Sequence, residues 1–408
     1  MWFMCIVVIG GGAAGMMAAY SAAKLNKKVI LLEKNEKLGK KIYITGKGRC
    51  NLTANVSVAE FLSSVVTNSK FLYGAINTLS PLDLINLFED NGLKLKTERG
   101  NRVFPESDKA SDVTKTLEKV LIKLGVDIRL NTKVTNIIVQ DNKVVSVVAD
   151  KGSIDCESVV VCTGGVSYPL TGSSGDGYYF AKNLGHSIER IKPALVGIEL
   201  CGSDFASMQG VSLKNVTLTA KVGDKIIYSD FGEMLFTHFG VSGPIVLSCS
   251  SFVNKFQANQ VELVIDLKPA LNTETLNNRL IKEFKDNNTK ALNNVLRALL
   301  PKALIEVVLK QAKVFGNKNC SEITVEERSR IINMLKGLKF KVKSLRSIDE
   351  AIITSGGVSV KEINPKTMES KLVKGLYFAG EVLDVDALTG GYNLQIAWCT
   401  GYVAGKYC

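Results

Sequence analysis

The residue that most invites a chemical reading is Cys50, which closes the run Gly46-Lys47-Gly48-Arg49-Cys50-Asn51. Small and basic residues at this density suit an anion. Arg49 and the nearby lysines are expected to lower a thiol pKa, and Asn51 could hold the loop or a substrate carbonyl. A thiol so placed could act as a general acid, while its plain alternative is a small buried hydrophobe. ATP hydrolysis is excluded on motif grounds, since the four-residue gap between glycines and the Ser or Thr after Lys are both missing. The only two histidines are His186 and His238. His186, in "AKNLGHSIE", reads as a helix C-terminal cap. His238, in "EMLFTHFGVSGP" beside Glu233 and Thr237, is a candidate for catalysis or a satisfied hinge residue.

Such residues need a scaffold, and the first thirty-odd residues supply one. The apolar strand Ile6 to Ile9 runs into Gly10-Gly11-Gly12-Ala13-Ala14-Gly15. An Ala/Met-rich helix follows, then a strand from Lys28 to Leu32 that ends in Glu33. In a dinucleotide fold Gly10 makes the tight turn, Gly12 lets the backbone approach a pyrophosphate, and Gly15 lets helix and strand pack. The diphosphate then rests on the helix N-terminus, and Glu33 stands where a carboxylate accepts from ribose hydroxyls. Although Met1 to Ala23 carries no charged side chain, it lacks a basic start and is broken by glycines, so we expect neither export signal nor membrane anchor.

A second glycine turn lies in "GLYFAGEVLDVDALTGGYNLQIAWCTGYVAG". Here a strand, Gly375 to Ala379, delivers Gly380 and Glu381, then an Asp-bearing loop, then Gly390 and Gly391 opening another helix. A second helix N-terminus aimed at the cofactor suits a flavin, whose pyrimidine edge gains negative charge on reduction. The expected fold is therefore α/β, with a Rossmann-like FAD-binding domain.

Five stretches carry a family resemblance: "VIGGGAAGMMAA", "EKNEKLGKKIYITGKGRCNLT", "CTGGVSYPLTGSSGDGY", "GEMLFTHFGVSGP" and "GGVSVKEINPKTMESKLVKGLYFAGEVLDVDALTGGYNLQIAW". In order and spacing the chain resembles the YhiN-like, or BaiN-like, flavoproteins, also labelled the aminoacetone oxidase family of FAD-binding, NAD(P)/FAD-dependent oxidoreductases. The resemblance implies that the FAD-binding domain is of the glutathione-reductase type and that Gly10, Gly12, Ala13, Ala14, Gly15, Glu33 and Lys34 hold the ADP half of FAD. It implies that the loop from Lys40 through Gly46, Arg49 and Cys50 to Asn51 passes over the diphosphate and ring. Val134 would meet the adenine through its backbone, and Thr163, Gly164 and Gly165 would approach the cofactor. Gly380, Glu381, Asp386, Gly391, Tyr392, Asn393 and Leu394 would line the flavin. Cys50 and His238 are the candidate catalytic residues, and no metal is expected.

Between these flavin segments the pattern changes. Residues 1–192 and 354–408 read as the FAD-binding domain. Residues 193–270 read as a barrel-like insert of alternating strands, 271–337 as its helical part with Asn272 or Thr273 and Thr324 as N-caps, and 338–353 as its return strand. Substrate is expected in the cleft between insert and flavin. Lys339, Lys341 and Lys343 alternate in "KFKVKSLR" and should share a strand face.

The chain has 408 residues, with 51 Lys and Arg against 39 Asp and Glu, a formal +12. That excess permits an RNA partner without demanding one. Nine cysteines without C-x-x-C or zinc spacing suit a reducing cytoplasm and exclude a disulfide-reductase dithiol. No second dinucleotide fingerprint appears, so NAD(P)H would visit transiently as donor. Three functions stay open. The first is reduction of uridine to dihydrouridine in large-subunit ribosomal RNA. The second is reduction of an activated C=C in a small bile-acid-type metabolite, or aminoacetone-type amine oxidation. The third is a non-enzymatic flavin redox sensor. Oligomeric state is not legible.

Overall fold

Cys5–Ile9 is an apolar strand with helices available to cover both faces, and that composition makes it the centre of a parallel sheet. The computed structural model describes residues 5–203 and 205–408; Met1 to Met4, part of the uncharged opening segment, lie outside the described residues. In the sheet, Cys5–Ile9 lies between Ser158–Val161 and Lys28–Leu32, with Leu376–Phe378 and Asp127–Arg129 at the two edges. The ladders are all parallel, so the carboxyl ends of these strands point the same way. Ligands of open α/β sheets gather at such ends.

Two helices enclose the nucleotide side. All eleven residues of the first, Ala13–Ala23, are buried. Its small side chains let the last helix, Tyr392–Tyr407, approach closely: a Cβ added to Gly401 would lie 2.2 Å from the Ala14 carbonyl oxygen, and one added to Gly405 would lie 2.0 Å from that of Ala18. Trp398, fully buried, donates its indole N–H to the Leu52 carbonyl and packs edge-on against Phe88. The last helix therefore holds both the first helix and the segment just after Cys50.

The chain divides into two compact units. One comprises residues 5–193 and Ile348–Cys408, with its own core. The other is Ala194–Ser347, again with its own core. The second unit is built on a closed six-stranded barrel in the order Ile198–Leu200, Gly240–Ser242, Lys225–Thr237, Ser212–Val222, Val261–Asp266 and Leu338–Leu345. The segment read as a return strand therefore divides: Leu338–Leu345 closes the barrel, and the next strand, Ile353–Val358, is buried along its whole length in the first unit.

Helices in the second unit begin where side chains can cap them. Asn272 accepts from the Thr275 N–H to start Thr273–Asp286, and Thr324 forms a reciprocal capping box with Glu327 to start Val325–Lys336. The long apolar run from Leu292 to Phe315 is interrupted: a short helix Leu292–Val295 gives way to Lys302–Ala312, with Pro301 at the N-cap. Proline lacks the N–H a continuous helix would need. No helix among the described residues is long and apolar enough to cross a membrane.

Candidate active site at the strand ends

The glycines of the first turn differ in the space around them. A Cβ on Gly10, which has φ +100°, would meet the Cys162 carbonyl oxygen at 2.6 Å, and one on Gly15 would meet the Gly10 carbonyl oxygen at 1.8 Å. Gly12 has nothing within 4 Å of that position. It is the N-cap of Ala13–Ala23 and makes no side-chain capping bond. The first N–H groups of that helix, Ala13 and Ala14 among them, have no intrahelical acceptor, an arrangement that suits an anion. Glu33 is buried, with Oε2 accepting from the Gly11 N–H at 2.7 Å and Oε1 from the Asn35 N–H at 2.8 Å. The Glu33 carbonyl accepts from the Thr132 N–H, two residues before Val134, which is buried and paired with Ala149.

Lys34 and Lys40 are engaged within the chain. Lys34 bonds Ser174 and Asp176, whereas Lys40 pairs with Glu36 at 3.0 Å. At the end of Ser158–Val161, Thr163 leads to Gly164 at φ +73° and to buried Gly165. A Cβ on Gly165 would lie 2.3 Å from the Thr354 Oγ1 and 3.2 Å from Glu381 Oε1. Gly380 follows the edge strand at φ +79°. Asp386, buried, accepts from the Ser355 hydroxyl at 3.0 Å. The last helix opens at Gly391, φ +101°, with no side-chain cap. Its Asn393 exchanges hydrogen bonds with the Ala387 backbone at 2.9 and 2.8 Å, Tyr392 packs against Phe61, and Leu394 is half-buried.

One buried oxygen in this region, Asn51 Oδ1, has no hydrogen-bond partner among the described residues. Buried polar atoms are ordinarily paired, so this oxygen is open to a ligand atom. Together with the open space at Gly12 and two helix N-termini without side-chain caps, this oxygen fits a flavin dinucleotide.

The loop carrying Cys50 departs from expectation. Gly46, Lys47, Gly48 and Cys50 all have positive φ. At Cys50, with φ +61°, the backbone turns the side chain inward, where it is fully buried. Burial pushes the thiol up to about 12, only partly offset by a hydrogen bond with Thr45, so the expected lowering of its pKa is reversed. Arg49 does not act on the thiol. Its guanidinium pairs with Glu98 and Asp108 and lies 4.1 Å from the Phe104 ring centroid, a cluster to which Lys96 adds a bond to Asp108. We expect maleimide at pH 8 to label exposed Cys201 in the native protein and leave Cys50 untouched, read by peptide mass mapping. Labelling of both at equal rates would contradict this burial.

The histidines separate as well. His186 is buried, its Nε2 2.7 Å from the Ser370 Oγ and its Nδ1 3.2 Å from the Ala181 carbonyl that also accepts its own N–H. Burial lowers its pKa. His238 belongs to the Ala194–Ser347 unit, exposed in the turn between Thr237 and Gly240 and edge-on to Phe239. Among the described residues no group of three or more His, Cys, Asp or Glu could hold a metal.

Sequence reasoning passed over a group at the heart of that cluster. Lys41, on the short helix Lys40–Ile44, places Nζ 2.6 Å from Glu381 Oε2 and 2.6 Å from the Ser167 Oγ. Its signal is absent from local sequence because Glu381 lies 340 residues away.

Known proteins agree with this geometry. Residues 4–407 match the family described as HI0933-like protein Rossmann domain. A 3-dehydro-bile acid delta(4,6)-reductase of Clostridium scindens is 32% identical over 98% of each chain. Ribosomal RNA dihydrouridine synthases of Haemophilus influenzae and Escherichia coli are 33% and 30% identical, covering 97% and 98% of this chain and 96% of each relative. In fold the chain resembles a 3-ketosteroid-delta4-(5alpha)-dehydrogenase of Rhodococcus jostii RHA1, with a TM-score of 0.56, 15% identity, and 100% of this chain and 97% of the other covered. A flavocytochrome c3 fumarate reductase gives 0.53 at 19% identity, covering 99% and 78%. The chain thus belongs to the HI0933-like Rossmann family of flavoproteins and is an FAD-dependent oxidoreductase.

Proposed function

We propose that this protein reduces an activated C=C bond, with uridine of large-subunit ribosomal RNA as its leading substrate and NAD(P)H as a visiting electron donor. The observation that carries the reading is the full-length similarity to two proteins named ribosomal RNA dihydrouridine synthase. The net charge of +12 supports it, since more than half of the basic excess falls in Ala194–Ser347. The alternating lysines contribute less than their spacing suggests. Lys339, Lys341 and Lys343 do share the exposed face of their strand, but Lys339 pairs with Glu262 at 3.2 Å and Lys343 with Glu199 at 3.5 Å.

When bound, FAD supplies the two-electron chemistry. The chain's residues bind and orient it. The N-terminus of Ala13–Ala23 would hold the diphosphate, Glu33 would hold the ribose, Asn51 would offer its unpaired oxygen, and the N-terminus opened by Gly391 would favour the negative charge gained on reduction. Burial keeps the Cys50 thiol protonated near neutral pH.

Dihydrouridine content of large-subunit ribosomal RNA, measured by nucleoside mass spectrometry in cells with and without the gene, tests the substrate. We expect loss in the deletion, restored by wild type and not by Gly12→Val. Unchanged content would overturn the RNA reading. A second reading, a small conjugated enone or enoate as substrate, is favoured by the bile-acid relative at 32% identity and is tested by anaerobic reoxidation of the reduced flavin with such compounds.

A further inference from the structure

We propose that Lys41 and Glu381 form a charge-balanced bracket that sets the affinity and reduction potential of the cofactor, with Lys41 as its positioning residue. The inference rests on the FAD assignment and is independent of which substrate is reduced.

Four separate segments of the first unit meet in this bracket. Lys41 comes from the start of the loop that ends in Asn51, Ser167 from the loop after Ser158–Val161, Thr354 from the strand Ile353–Val358, and Glu381 from the loop after Leu376–Phe378. Glu381 Oε2 accepts from Lys41, while Oε1 accepts from the Thr354 N–H at 2.8 Å and the Ser167 hydroxyl at 2.9 Å. The Thr354 Oγ1 accepts in turn from the Val166 and Ser167 N–H groups at 2.9 and 3.1 Å. Gly165 must lack a side chain here, because its Cβ would strike the Thr354 hydroxyl.

The ion pair is well shielded, with 23% of the Lys41 side chain and 20% of the Glu381 side chain exposed. Water therefore compensates neither charge fully if its partner is removed. Glu381 also directly follows Gly380, whose Cβ position lies 2.8 Å from the Cβ of Ala14 in the diphosphate helix. A charge left uncompensated at this point acts on a ligand that already carries a diphosphate and gains negative charge when reduced. An unpaired carboxylate should repel it and an unpaired ammonium should attract it, most strongly in the reduced form.

The test uses the full chain as Lys41→Met, Glu381→Gln and the combined variant. FAD dissociation constants would come from flavin fluorescence on reconstituting apoprotein, and midpoint potentials from anaerobic dye-coupled titration. For Lys41→Met we expect FAD binding weaker by about tenfold and a lower potential, scaled to one uncompensated, partly shielded charge. Glu381→Gln should raise the potential, and the combined variant should return toward wild type because neutrality is restored. A packing role alone would weaken binding in all three variants with no opposed shifts of potential, and that result would overturn the proposal. So would a Lys41→Met protein with unchanged affinity and potential. Should Lys41→Met fail to fold, Glu381→Gln decides alone: a potential unchanged or lowered overturns the bracket.

Discussion

Gly12→Val should yield a folded, colourless protein. No atom lies within 4 Å of a Cβ at Gly12, so the apoprotein has room for the first atom of a side chain there, and the backbone is extended with ψ near 180°, a conformation valine adopts readily. The space entered is that into which the N–H groups of Ala13–Ala23 point, so the added methyl groups compete with the diphosphate for its seat. We expect FAD affinity to fall by about a hundredfold or more, roughly 2.8 kcal/mol on the usual scale of 1.4 kcal/mol per decade, with the far-ultraviolet spectrum preserved. Full yellow occupancy after purification would place the diphosphate elsewhere.

The opposite outcome is expected at Gly401→Leu. Its Cβ would lie 2.2 Å from the Ala14 carbonyl oxygen, a contact with backbone that no side-chain rotamer relieves. The first helix is buried all round and the last carries fully buried Trp398, so neither can move aside without opening the core. Such overpacking should cost about 4 kcal/mol or more, a large share of the stability of an ordinary domain. Denaturant melts of purified protein, or loss from the soluble fraction, would show it, and a variant with a wild-type midpoint would contradict the close approach of the two helices.

These two glycines show how much of the molecule was legible in advance. The turn around Gly10, Gly12 and Gly15 could be read because its three tasks lie within six residues, bounded by an apolar strand and a helix, so local pattern and tertiary role coincide. Lys28–Leu32 and Ser212–Val222 were visible for the same reason: strand periodicity is written in neighbouring residues. Cys50 misled because adjacency in sequence was taken for adjacency in space. Positive φ at Cys50 sends its thiol into the core, while Arg49 reaches Glu98 and Asp108 on the strand–loop neighbours. Lys41 went unnoticed beside Lys40 for the complementary reason. Nothing local distinguishes two consecutive lysines until the fold brings Glu381 to one and Glu36 to the other.

The union of the first and last helices also has a consequence for biosynthesis. Leu52 and Trp398, joined by a hydrogen bond in the finished protein, are 346 residues apart in the chain. A ribosome therefore releases the Ala/Met-rich helix Ala13–Ala23 long before its cover exists, and an apolar cylinder with no polar face waits in water or on a chaperone. The diphosphate seat is encoded well ahead of the helix that covers it, and its walls close only when Tyr392–Tyr407 docks. Cofactor loading on this account follows the emergence of Tyr392–Tyr407, and the Ala194–Ser347 unit, with its own core, can fold while the flavin unit is still incomplete.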